Sequence, residues 1–507
     1  MSGDGQGGLK QRIEAFLAAD PAREISEDGA LLFARGEARC RLEESRGKLL
    51  LHLWSSERNW VRRVLGVAEE TGDRLVLEVE RFGQRRPGKL VLARAARGRG
   101  RDRERVAARR KYGAWLRRLL EREFPRARVE ALSTAADPKR SFSGLYTRAR
   151  LREAERWWAV LGVSAGEDAP AVDALLTYAF VWFDWNRRRY PERVWAGLRL
   201  FLPAGRTRTT ANRLASLDAS RLRAELYAVD EGEASCLRLD ARDFGNLETH
   251  LAPARRAQRV LAAESSAVER IRTLAPQAIE AVVPPGDNQL MLRFHGLAFA
   301  RSARGQVSFG LGRQEQPLTA ESLPALEALV ERLRRERAAD GPASSPCYRS
   351  QPERWLESLV WASPQKIDPR LERARLYRQV PAVTAGERGV ADLLGATREG
   401  QLVVIELKAA ADINLPLQAL DYWLRVRWHQ ERGELSRAGY FSGVNLKPDP
   451  PELLLVAPAL QFHSTTETLV SYLAPAVRVT LVGLNEDWRR ALKVMFRRGR
   501  RALAAPE

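Results

Sequence analysis

The sequence predicts an α/β (α+β) protein of several domains. Strand-like and helix-like apolar runs alternate through the last third of the chain, which argues a layered fold with a mixed sheet. Two earlier groups of short strands are cut by Gly-containing turns. Apolar content of 45% and charged content of 29% are those of a globular chain. The 507 residues allow about two to four domains.

Residues 1–104 read as a basic β-rich module: ALLFARGEARCRLE, GKLLLHLW, DRLVLEVERF and GKLVLAR, with turns at ETGD and RRPG. The basic run Ala96–Lys111 suits a linker, a phosphate-binding edge or a solvated helix start. Residues 105–245 read as an α/β domain. A helix at YGAWLRRLLEREF is followed by strands ERWWAVLGV, VWAGLRLFLPAG and RAELYAV, with helices PAVDALLTYAFVWFDWNRR and TTANRLASL between them. Residues 246–345 read as helices from about Leu251 to Leu274, strands IEAVVPP, QLMLRFHGLAFARS and GQVSFGLG, a helix to about Ala338, and the linker ADGPASSP. Residues 346–507 begin with the helix PERWLESLVW. Strands LYRQVPAV, GVADLLGAT and QLVVIELKA, the helix PLQALDYWLRVRWHQ, strand ELLLVAPAL, helix TTETLVSYL and strand VRVTLVGL follow.

The net charge of +20 and pI of about 10.5 favour a polyanionic partner, nucleic acid before an anionic membrane. Arginines concentrate at Arg35–Arg41, Arg85–Lys111, Arg187–Arg189, Arg255–Arg259 and Arg489–Arg501. Aromatics interleave with them in FVWFDWNRRRY and DYWLRVRWH, although core packing accounts for most of the tryptophans. The three cysteines show no zinc spacing, and the N-terminus has no signal-peptide pattern, so a cytoplasmic protein is expected. No P-loop is present, and no apolar run approaches the ~20 residues of a membrane span.

The chemistry concentrates at GVADLLGATREGQLVVIELK. REGQ can turn between two strands, one carrying Asp392 and the next Glu406 and Lys408. Side chains alternate in a strand, so Glu406 and Lys408 share a face, and a fitting hairpin register brings Asp392 to them. Two hard carboxylates suit Mg²⁺ or Mn²⁺, and an ammonium can orient water and stabilise charge on a phosphoryl group. Burying such charges unpaired is costly, which calls for a metal or a partner.

These residues resemble the PD-(D/E)xK nuclease superfamily, whose site is an acid on one strand and (D/E)xK on the next. Here those are Asp392 and Glu406-Leu407-Lys408, with Ala391 where the literal motif has proline. Gln418 and Tyr422 in QALDY look like the QxxxY helix of the RecB-type branch, with Asn414 able to cap that helix and Pro416 in its first turn. The family also brings a glutamate from a preceding helix; Glu357 is preferred, with Glu353 one turn earlier. The resemblance spans about Cys347 to Glu486 and implies a restriction-endonuclease-like mixed-sheet core. It implies metal ligation by Asp392, Glu406 and Glu357, water positioning by Lys408, and orientation by Gln418 and Tyr422. Asp412 is expected to shape the loop and His463 to sit near a helix start. Many relatives act as dimers, so a homodimer is compatible.

The middle of the chain resembles the same pattern without the acids. AVLGVSAGEDAPAVDALLTYAF, from Ala159, aligns without gaps with VVIELKAAADINLPLQALDYWL, from Val403. This puts Gly162 at Glu406, Ser164 at Lys408, Ala174 at Gln418, Arg148 at Asp392 and Arg117 at Glu357. The expectation is an internal duplication whose first copy lost its metal ligands and gained phosphate-holding arginines. Two unrelated α/β units with similar patterns are the alternative. The reading is a Mg²⁺-dependent nuclease, DNA favoured over RNA, in repair, recombination or defence. A non-catalytic nucleic-acid-binding protein on a nuclease-like scaffold is the runner-up.

Overall fold

Alternating burial builds the N-terminal sheet: KLLLHLW buries every second residue from Leu49 to Leu53. The computed structural model describes residues 4–499 apart from 20–23, 29, 34–38, 46–47, 55–58, 73, 81–86, 94–98, 242–246, 248, 255–258, 262–265, 285–288, 313–314, 344 and 385–386. Most of the basic clusters at 35–41 and 255–259 therefore lies outside the described residues. The chain divides into two compact units, Met1–Phe244 and Gly245–Glu507. The four segments read from the sequence thus pair into two.

In the first unit, β1 (Glu24–Glu27), β2 (Ala30–Phe33), β3 (Arg39–Ser45), β4 (Lys48–Trp54), β5 (Asn59–Glu70), β6 (Arg74–Glu80) and β7 (Gly88–Ala93) form an antiparallel sheet in the order 2-1-7-6-5-4-3. The helix Asp4–Ala19 closes its core with Ile13 and Phe16. From Arg99 onward the basic run forms the first half of a helix, Arg99–Glu123. A second sheet follows: β8 (Ala127–Ser133), β9 (Thr147–Glu153), β10 (Arg156–Gly162), β11 (Val194–Pro203), β12 (Ala224–Asp230) and β13 (Ser235–Leu239), in sequential order. β10, β11 and β12 run parallel; β8, β9 and β13 are antiparallel to their neighbours.

In the second unit, β14 (Thr249–Leu251) is a short strand just ahead of the helices that the sequence suggests from about Leu251. It pairs with a strand more than a hundred residues downstream, a partner that local pattern cannot reveal. β15 (Ile279–Val282), β16 (Leu290–Phe294), β17 (Leu297–Ala303), β18 (Gln306–Phe309) and β19 (Gln316–Pro317) form an antiparallel meander. The helices Ser266–Leu274 and Leu323–Glu336 share its core through Val268, Ile271, Leu326 and Val330. The last sheet takes β20 (Leu371–Thr384), β21 (Glu387–Thr397), β22 (Leu402–Leu407), β23 (Glu452–Pro458), β24 (Arg478–Leu484) and β25 (Val494–Gly499), with β14 on the edge of β20. β22, β23 and β24 are parallel, and the other pairs antiparallel.

The two mixed sheets therefore repeat one order of strand directions. A helix precedes each, Arg99–Glu123 and Pro352–Ala362; a long helix joins the third strand to the fourth, Leu175–Arg189 between β10 and β11 and Leu415–Glu431 between β22 and β23. Among the described residues no helix is long and apolar enough to cross a membrane.

Candidate functional site

β22, LVVIEL, is buried along its whole length because it lies between β21 and β23 with helices on both faces. Val403, Ile405 and Leu407 join Trp355, Leu356 and Val360 in one apolar cluster. Alternation therefore turns Glu406 to the other face, where the Leu415–Glu431 helix packs. The β21–β22 ladder pairs Leu393 with Ile405, and one further step sets Asp392 across from Glu406. Asp392 also binds the end of β22: its Oδ2 accepts a hydrogen bond from Leu407 N at 2.9 Å. Lys408 Nζ lies 3.7 Å from Glu406 Oε1 and 3.7 Å from Asp412 Oδ2. Asp392, Glu406 and Lys408 thus converge at one end of the hairpin.

The electrostatics follow from burial. Asp392 is pushed up to about 7, first by burial and then by the charge of Glu357, against the Leu407 N–H, Lys408 and Arg354. Glu406 is raised well above the usual carboxylate range by burial and by Asp392. Burial pulls Lys408 down, but Glu406, Glu353, Asp412 and Asp392 outweigh it and leave the ammonium above its ordinary value. Asp412 serves the loop as well, accepting from Asn414 N at 2.8 Å through its other oxygen.

Tyr422 lies against the acids: burial, then Glu406 and Asp392, raise its phenol above the ordinary value. Gln418 is half-buried one turn earlier on the same helix. Asn414 does occupy the N-cap position and Pro416 the first turn, but the Asn414 side chain makes no capping hydrogen bond. Its backbone stays in the helical region instead of the extended geometry that lets a side chain reach back. His463 hydrogen-bonds Thr465 Oγ1 at 2.8 Å within its own loop, just before the Thr466–Ser471 helix.

Glu357 is held by two arginines. Its carboxylate pairs with Arg354 at 2.6 Å and Arg378 at 3.1 Å, and Arg378 in turn pairs with Glu280 at 2.8 Å. It stands on the helix that packs against Ile405, and its charge still reaches Asp392. Glu353 is exposed one turn earlier, and its charge acts on both Glu406 and Lys408. The role of Arg354 and Arg378 carried no sequence signal, since β20 brings Arg378 to the helix only in three dimensions.

The sheet of the first unit corrects the register read from the sequence. Pro203 and Pro458 end β11 and β23. Counting from them, Val163 N donates to Phe201 O where Lys408 N donates to Val456 O. Val163 thus stands at Lys408 and Leu161, not Gly162, at Glu406; Leu161 pairs with Arg148, which keeps its place at Asp392. The identities between the two segments, at Val160, Ala165, Asp168, Leu176 and Tyr178, lie mostly in loop and helix, which do not bind the strand register. Arg148 is buried and spends its guanidinium on Ser143 O and Ala135 O, so it is no phosphate holder. Ser164 is held by Glu231 at 2.8 Å, and Arg117 pairs with Glu121 on its own helix. A Cβ at Gly162 would stand 2.7 Å from Tyr112 Oη and 2.8 Å from Leu116 Cδ2, so hydrocarbon and a phenol fill this end of the sheet.

No family model and no curated protein matches the chain.

Among the described residues no three His, Cys, Asp or Glu side chains gather into a metal cage. Glu406 Oε2 is nevertheless buried without a hydrogen-bond partner, beside a second carboxylate. Such an oxygen is costly unless a cation or donor reaches it. Asp392 and Glu406 supply two hard ligands, the number with which Mg²⁺ is often held while it keeps several waters.

Proposed function

We propose that the protein is a Mg²⁺-dependent nuclease, DNA favoured as substrate, with its site on the β21–β22 hairpin of a PD-(D/E)xK-like core. The observation that carries this is the carboxylate pair of buried Glu406 and half-buried Asp392, with Glu406 Oε2 unpartnered and Lys408 beside it. Asp392 and Glu406 would hold the cation, which when bound supplies charge neutralisation and polarises the phosphoryl group. Lys408, kept protonated by its acid neighbours, donates to the attacking water and to charge growing on the phosphoryl oxygens. Tyr422 and Gln418 line the same face and orient the strand. Arg354, half-buried and facing Asp392 electrostatically, adds a second cation.

The test is cleavage of single- and double-stranded DNA and RNA with Mg²⁺, Mn²⁺ or EDTA. Metal-dependent cutting that Lys408→Ala lowers at least about 10²-fold supports the enzyme. Tight binding with no cutting under any metal supports the runner-up, a binding protein on a nuclease-like scaffold. In the first unit's repeat, hydrocarbon, a phenol and the consumed Arg148 occupy the place of the acids, so the cleavage is assigned to the second unit alone.

The helix glutamates separate by readout. Glu357→Gln leaves Arg378 and Arg354 short of a counter-charge and is expected to lower stability by about 1–3 kcal/mol in urea melts. Glu353→Gln, at an exposed position, is expected to leave the melt unchanged and to raise the Mg²⁺ concentration needed for half-maximal cleavage. The reverse pattern would assign the metal-side role to Glu357.

A further inference from the structure

We propose that the end of the second sheet in unit Met1–Phe244 is a docking surface for single-stranded nucleic acid. This deepens the nuclease reading and rests on its premise that the substrate is a nucleic acid. β9 carries Arg148, Arg150 and Arg152 at alternate positions, so all three share a face. Arg148 is consumed in the interior. Arg150 and Arg152 lie farther along, where the sheet reaches the C-terminal end of the Leu175–Arg189 helix.

There, guanidinium groups and rings alternate. Arg150 lies 4.8 Å from the Tyr190 ring centroid. Arg193 lies 3.9 Å from Tyr190 and 3.9 Å from Trp157. Arg152 closes the row at 6.0 Å from Trp157. The five side chains are half-buried or exposed. Arg150 Nε is buried with no hydrogen-bond partner. The acids nearby are weak competitors: Glu155 holds Arg152 at 3.3 Å and Glu192 holds Arg193 at 3.4 Å, with 89% and 65% of their side chains exposed. Exposed pairs of this kind contribute little, and a polyanion displaces them readily.

Core packing explains Trp182 of this helix, which encloses Arg148 together with Phe142 from the loop before β9. It does not call for three arginines on the outer rim. Planes alternating with cations match a strand whose bases alternate with phosphates, since bases stack on rings and guanidinium groups alike. A duplex hides its base faces, which favours the single strand.

The experiment is anisotropy titration of a labelled oligothymidylate of about 15 nucleotides with the full chain in EDTA, across salt concentrations. Wild-type protein is expected to bind it, with a linear salt dependence, more tightly than a duplex of equal length. Arg193→Ala and Tyr190→Leu should each weaken binding about tenfold or more. Arg193→Lys should recover the salt slope but not the full affinity, and Tyr190→Phe should bind like wild type. Circular dichroism checks folding; if Arg193→Ala is unfolded, the Lys and Phe variants carry the comparison. Arg193→Ala or Tyr190→Leu protein that folds and binds like wild type overturns this surface. So does equal displacement by polyglutamate of matched charge, which would mark a general anion patch. A wild-type protein that binds the strand in EDTA yet never cuts it with metal overturns the nuclease and leaves this surface standing.

Discussion

Asn in place of Asp392 is expected to abolish metal-dependent cleavage and, in the same molecule, to make the metal-free protein harder to unfold. The two effects share one cause. Burial and the charge of Glu357 lift Asp392 from its ordinary 3.8 to about 7. The folded chain therefore keeps a proton that the unfolded chain has lost between roughly pH 4 and pH 7. The stability tied to that proton is fully present below the unfolded value, falls as pH rises through this window, and is gone above about pH 7. At pH 8 the carboxylate is a half-buried charge beside a buried acid, Glu406. Asn removes that charge and can still accept from Leu407 N through its amide oxygen. The metal-free variant should gain on the order of 1–3 kcal/mol at pH 8 and little at pH 5. In wild type, Mg²⁺ should stabilise more at pH 8 than at pH 5; in the variant that increment should vanish. Cleavage should fall by about 10²–10³-fold or more. A variant that melts lower at pH 8, or that still shifts with Mg²⁺, would remove the acid pair from the centre of the mechanism.

The hairpin was legible because its charges interrupt apolar runs. LVVIELKA has no amphipathic reason to carry Glu406, and the turn REGQ sets the pairing. Tyr422 was named only through the QxxxY resemblance, whereas the repeated order of strands and helices was legible from pattern alone. What local pattern could not carry was anything decided by long-range pairing. β14 is three residues long and owes its conformation to β20. The one-residue slip between Gly162 and Leu161 depends on which carbonyl accepts from Val163. The capture of Glu357 by Arg378 and of Arg378 by Glu280 joins three elements spread across the second unit. Arg148 held its place in the alignment but not its role, because side-chain burial decides whether an arginine meets phosphate or carbonyl.

Arg337→Met is expected to be the most destabilising of the substitutions considered, at about 3–5 kcal/mol in urea melts. Arg337 is fully buried, and burial pulls its guanidinium down to about 10, which still leaves it charged at pH 7. It is satisfied by carbonyls: it donates to Phe294 O at 3.0 Å, His295 O at 2.8 Å, Ser350 O at 2.7 Å, Gln351 O at 3.4 Å and Cys347 O. Those acceptors sit on two pieces of backbone that must be held in unusual shapes. His295 and Gly296 have φ of 44° and 79° in the turn of the meander, and Gln351 has φ of 47° at the start of the Pro352–Ala362 helix. A Cβ at Gly296 would stand 2.3 Å from the Arg354 carbonyl, so the turn lies directly on the first turn of that helix. Methionine fills part of the volume but leaves several buried carbonyls without a donor, each costing about 1–3 kcal/mol before the backbone relaxes. Lys has one nitrogen to offer in place of three and should fall between the two. The helix in question carries Glu353, Arg354 and Glu357, so activity should be lost with the folded fraction. Cleavage per folded molecule should stay near wild type at low temperature, the opposite of what Asp392→Asn should show. An unchanged urea midpoint for Arg337→Met would mean that the meander and the helix are fastened by their apolar contacts alone.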